Sequence, residues 1–174
     1  MVFKLRSNDH SKTTFDNLKK LIHMQKTLSL ATVSAEGISD IGYAPFVFDT
    51  ENCFYIYVSE LASHTRNLMV RPNVSVMLLR PEAETSNLFA RERLIFQCKA
   101  QFIERSDIHF DRKLTEFYDR FGNIMDLLKN LRDFHLVQLI PEQGRYIAGF
   151  GLAYAIDLRN SLVIPAQKNG LVPI

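Results

Sequence analysis

TLSLATVSAEGISDIGYAPFVFDTENCFYIYVSE, residues 27–60, decides the fold. Leu28-Ser29-Leu30-Ala31-Thr32-Val33-Ser34 alternates apolar and small polar residues. That period of two reads as a strand with one buried face. Ala35-Glu36-Gly37 supplies a hairpin turn, with glycine where positive φ is wanted. Ile38 to Phe48 returns as a second strand, and Pro45 within it marks an edge or bulge. Asp49-Thr50-Glu51-Asn52 turns the chain again, and Cys53 to Val58, rich in aromatic and β-branched residues, reads as a third strand.

Working outward, residues 14–27 read as a helix. Phe15, Leu18, Leu21, Ile22 and Met24 or Leu28 recur at three-to-four spacing, with Thr13 or Thr14 as N-cap. After the three strands, Ser59 to Val70 reads as a short helix that ends at Arg71-Pro72-Asn73. Val74–Leu79 and Arg93–Glu104 read as strands, separated by the polar loop RPEAETSN, 80–87. A helical insert spans about 107–131 and is broken at Gly122. Phe134–Ile140, Arg145–Phe150 and Leu152–Leu158 complete the strands. The expected organisation is an N-terminal arm (1–13), one domain (14–158) and a tail (159–174) that serves as a strap or docking arm. So many short antiparallel strands favour a closed or partly closed barrel, because closure removes exposed edges. The fold class is mainly β with helices, antiparallel.

Composition limits the function. Lys+Arg number 21 against Asp+Glu 19, a net charge of +2, so charge alone gives no case for nucleic acid or a membrane. No run of 18 apolar residues and no apolar leader segment is present, and a cytoplasmic protein is expected. Cys53 and Cys98 lie far apart in apolar runs without zinc spacing, and no HxxxH or HExxH pair occurs, so no protein-built metal centre is expected. Thirteen Phe and six Tyr suit a β core, a ring-binding pocket, or both.

Five runs, in order, carry a resemblance: TLSLATVSAEGISDIGYAPFVF (27–48), SHTRNLMVRPNVSVMLL (63–79), LFARERLIF (88–96), RFGNIMDLLKNLRDF (120–134) and EQGRYIAGFGLAY (142–154). Together they resemble the HutZ/HugZ haem-utilisation proteins, which use the split β-barrel of the pyridoxamine 5′-phosphate oxidase superfamily. The resemblance implies a homodimer that holds a small-molecule ring ligand at its interface. In that family the ligand is haem, which is bound and broken down to release iron or passed on; in flavin-binding relatives FMN occupies the equivalent cleft. A non-catalytic carrier on the same barrel is a third reading, because a fold alone does not choose a function.

The resemblance also assigns residues. Arg93 matches an arginine facing the distal side of the haem, where a guanidinium can take a propionate or steady a developing negative charge. Asp133 matches an acid that hydrogen-bonds the axial histidine, which the family places in its C-terminal tail. Residues 136–174 contain no histidine, and this is the main departure from the pattern. Arg93 and Asp133 are thus the candidate catalytic residues. In the flavin reading, Ser59, Ser63, His64, Arg66 and Asn67 match the segment that holds the FMN phosphate, with His64 standing where flavin binders commonly carry lysine. Arg91 can share the strand face of Arg93. Gly149-Phe150-Gly151 is no dinucleotide fingerprint and reads as a bulge or close strand packing. Tyr43, Tyr146 and Tyr154 read as ring-pocket edges or as packing.

Overall fold

The computed structural model describes residues 9–158, 160 and 162–166, with side chains from Lys12 onward. Helix α1 (Asp9–Met24) leads into three strands, β1 (Thr27–Val33), β2 (Ser39–Phe48) and β3 (Phe54–Ser59). Helix α2 (Ser63–Val70) and β4 (Asn73–Leu79) follow, then two single 3-10 turns at Glu82–Glu84 and Leu88–Ala90, and β5 (Arg93–Ile103). The helices α3 (Phe110–Phe121) and α4 (Ile124–Leu128) precede β6 (Phe134–Gly149), β7 (Leu152–Asp157) and β8 (Leu162–Pro165).

All pairings are antiparallel, in the order β3-β2-β1-β4-β5-β6-β7-β8, and β3 also pairs with β6. Strands β1 to β6 therefore close a six-stranded barrel, and β7 and β8 extend from the far half of β6 as a wing. The two strands expected at 134–140 and 145–150 are one strand of 16 residues. A register shift at Gln97/Cys98 lets it serve both barrel and wing. The insert divides at Gly122, whose φ of 75° suits glycine. Part of the tail pairs with β7 as β8, while residues 1–8 of the arm and 167–174 of the tail lie outside the described residues.

Alternation sends Leu28, Leu30, Phe46, Val76, Leu94, Phe96 and Tyr146 inward, where they pack with Leu18, Leu21 and Ile22 of α1. Phe54 touches Phe46, Phe48 and Phe96, with ring centroids 4.7–5.6 Å apart. The outer wall has two unlike halves. Over β3 and β6, α3 and α4 form a roof, burying Val47, Tyr55, Tyr57 and Leu136 against Phe110, Phe117 and Met125. Over β1, β4, the Ser39–Tyr43 half of β2 and the Arg93 end of β5, no second buried cluster forms among the described residues.

Candidate functional site

The uncovered half of the wall carries a continuous cross-strand row. Tyr43 faces Ser29, Ser29 faces Met77, Met77 faces Ile95, and Ile95 faces Arg145. The row runs on through Ala155 to Ile164. Beside it Ile41 pairs with Ala31, and Leu79 with Arg93. Ile41 is 80% and Tyr43 70% exposed, which is uncommon for neighbouring apolar side chains on a flat sheet.

Arg93 lies on this face because Leu94 beside it points inward. Its guanidinium donates to the Arg91 carbonyl at 2.9 Å. The surrounding carboxylates are committed elsewhere. Glu92 and Glu84 hold Arg80 at 2.5 and 3.1 Å, and Glu82 holds Arg91 at 2.9 Å. Glu92 also accepts the Tyr146 hydroxyl, whose proton is held more tightly because burial and that carboxylate disfavour the phenolate. Arg91 further donates to the Arg80 carbonyl at 2.6 Å, so it closes the loop between β4 and β5 rather than facing outward with Arg93.

Asp133 sits at the other end of β6. Its carboxylate accepts the Ser59 hydroxyl at 2.6 Å, and its carbonyl accepts the Glu60 N–H at 2.8 Å. Two residues on, His135 pairs with Glu60 at 2.6 Å. Sequence reasoning missed this acid–imidazole pair, since nothing in the local pattern joins residue 60 to residue 135. The β3–β6 register, in which Ser59 faces Phe134, brings them together.

The start of α2 collects the remaining expected residues. Ser63 donates its hydroxyl to Asp40 of β2. Arg66 donates to the carbonyls of Glu60 and Leu61 at 2.6 and 2.9 Å. Asn67 donates to Thr32 at 3.0 Å in the core. His64 is buried over Gly42, and its Nε2 has no partner. An incoming phosphate would find Ser59 and Ser63 already given to carboxylates and Arg66 given to backbone carbonyls. Two acids at that spot, Asp40 and Asp133, repel an anion further, so the residues present do not fit the phosphate of FMN.

Burial lowers the pKa of His64 from its ordinary 6.5, with Asp40 opposing in part. The fold therefore holds the ring neutral, and this contribution is complete above the unfolded value. As pH falls from about 7 toward 5, the unfolded chain gains a proton that the folded chain resists, and stability drops. Urea midpoints measured across that range should show the decline, and His64→Asn should flatten it.

A separate cleft of about 510 Å³ between α1, the β2–β3 turn and α3 is lined by Lys19, His23, Arg112 and Glu116, among others. It includes none of the site residues expected from the sequence. Lys113 at its base is buried and paired with Asp49 and Glu116, each at 3.1 Å.

The comparisons with known proteins agree with this architecture. The Pyridoxamine 5′-phosphate oxidase family profile matches residues 14–148. The heme oxygenase HutZ of Vibrio cholerae is 42% identical over 140 residues, spanning 80% of this chain and 79% of the relative. A crystal structure of Vibrio cholerae HutZ, described there as a heme storage protein, superposes with a TM-score of 0.70 at 41% identity. It covers 74% of this chain and 89% of that one. Campylobacter jejuni ChuZ superposes with a TM-score of 0.83 at 32% identity, covering 98% of this chain and 68% of the longer ChuZ chain. Closed barrel, wing and sequence identity together place the chain in the pyridoxamine 5′-phosphate oxidase-like split-barrel family, in its HutZ haem-utilisation branch.

Proposed function

We propose that the protein handles haem at a seam between two copies of itself, in the cytoplasm, as a haem-degrading or haem-delivering homodimer. The observation that carries this reading is the outer wall, with the exposed Ile41 and Tyr43 and the half-buried Met77 and Ile95 across it and Arg93 at its border. A second copy related by a two-fold axis would cover the apolar row with its own equivalent. A slot at such a seam suits a flat ring with two carboxylates: apolar walls for the macrocycle and a cation for its edge. Arg93 fits that demand, since no carboxylate among the described residues is paired with it.

Arg93 and Asp133 stand at opposite ends of β6, so one chain does not bring them together. If both serve one ring, each slot takes Arg93 from one copy and Asp133 from the other. Asp133, polarised by the Ser59 hydroxyl, would accept a hydrogen bond from a donor at the ring. Bound haem supplies the redox chemistry at its iron; the chain supplies position, charge and exclusion of water. The engaged donors around Ser63 give the flavin reading no support, and FMN serves as the control ligand.

The test is haem titration of wild type, Arg93→Ala, Asp133→Ala and a co-expressed mixture of the two variants. Wild type should give a Soret band, while FMN should give no bound flavin spectrum. Each single variant should bind weakly. The mixture should recover about a quarter of wild-type sites, because half the dimers are hybrids with one intact slot of two. A mixture no better than the singles would show that the two residues do not meet across a seam.

A further inference from the structure

The loop between β4 and β5 is laced shut. Arg80 N–H donates to the Glu92 carbonyl at 3.0 Å, Arg91 bonds back to the Arg80 carbonyl, and Thr85 donates to the Pro81 carbonyl at 2.9 Å. Its last turn is pinned by the Asn87 side chain, which accepts the Phe89 N–H at 3.0 Å. What this rigid loop presents is apolar: Leu88 is 59% exposed and Phe89 93%. Antiparallel pairing of Arg93 with Ile147 places residues before 93 beside residues after 147. The β6–β7 turn therefore lies at the same end of the sheet. It holds Phe150, 83% exposed, between Gly149 and Gly151, whose φ of 73° makes the tight turn possible.

Two exposed phenylalanines on separate turns thus lie at the same end of the sheet as Arg93, the arginine whose neighbouring acids are spent on Arg80 and Arg91. Solvent gives no reason to display such rings, and each costs apolar hydration. A cation that shares one end of the sheet with two exposed aromatic rings is complementary to a flat apolar ring with an anionic edge. We propose that Phe89 and Phe150 are ring-contacting residues that clasp the macrocycle of an anionic tetrapyrrole while Arg93 receives its carboxylate. This inference rests on the reading of a tetrapyrrole site at Arg93, and it adds the residues and the chemical class: ring and carboxylate, without need of iron.

Metal-free protoporphyrin IX separates ring recognition from iron ligation. Its fluorescence and absorption should change on titration into the wild-type protein. The dimethyl ester, which lacks both carboxylates, should bind roughly tenfold weaker through loss of a charge-assisted contact. Arg93→Gln should erase that difference. Phe89→Ser and Phe150→Ser should each weaken both porphyrins roughly fivefold, and the double variant more, with thermal stability unchanged because both rings are exposed. Haemin titration and sedimentation accompany each variant. A wild-type protein that binds neither haemin nor protoporphyrin overturns the tetrapyrrole reading itself. Normal wild-type binding with no loss in the double variant overturns only the role of the two phenylalanines. A double variant that sediments as a monomer would make them subunit contacts and likewise overturn the inference.

Discussion

On the proposed seam, Ile41→Asp combined with Tyr43→Asp should give a folded monomer that no longer takes up haem. The two side chains sit on alternate positions of β2 and are 80% and 70% exposed, so neither supports the barrel of its own chain. Their inward neighbours, Ala44 and Phe46, keep the core intact. In a two-fold seam the double variant places four carboxylates against an apolar row. A carboxylate buried without a partner costs several kcal/mol even after relaxation. Weakening of the dimer by at least about a thousandfold, on the order of 4 kcal/mol, is expected. Sedimentation velocity across a concentration series reads the assembly, and circular dichroism reads the fold. If the variant stays dimeric at micromolar concentration, this wall is not the seam. If it becomes a monomer and still binds haem with wild-type affinity, the slot does not need two copies.

The wall was legible in the sequence only in part. Alternation in residues 28–34 and the turn at Gly37 were enough to lay out the first hairpin, because one-sided burial imposes a period of two. Barrel closure also followed, since so many short strands need their edges removed. The fusion of residues 134–149 into one strand was not legible. Pro141, Glu142 and Gln143 interrupt the alternation, yet Pro141 and Gln143 pair with Cys98 and Gln97 of β5, and Glu142 is the extra residue at the register shift. Nor could the pattern show which apolar face lacks a cover. Ile41 and Tyr43 alternate just as Leu28 and Leu30 do, and only the closed barrel shows one pair inside and the other outside. Resemblance identified Arg93 and Asp133, but the pairing of Ser59 with Asp133 and of Ser63 with Asp40 arises from contacts between distant segments. Local sequence carries no signal for hydroxyls committed in that way.

Gly144→Ala should be strongly destabilising for a single added methyl. A Cβ there would stand 2.7 Å from Cε1 and 2.8 Å from Cδ1 of Phe96, and 3.1 Å from Cβ of Ile156. Phe96 has nowhere to go: it is 1% exposed and held by Phe54, itself wedged against Phe46 and Phe48. Overpacking of a filled core costs about 1–3 kcal/mol, and a ring with no free rotamer belongs at the upper end. Gly37→Ala offers the contrast. Its added methyl meets nothing within 4 Å, so only the strain of its φ of 85° remains. The consequence of Gly144→Ala reaches the site as well, because Gly144 is where β6 takes on β7 as a partner. Pushing β6 away from Phe96 shifts the wing and the turn that carries Phe150 relative to Arg93. Denaturant midpoints and haem affinity should therefore fall together. Phe96→Leu removes the ring atoms that clash, so Gly144→Ala should cost at least about 1 kcal/mol less in that background, by a double-mutant cycle. Strict additivity would mean that the methyl is accommodated elsewhere, and that the contact between Gly144 and Phe96 does not set the angle of the wing.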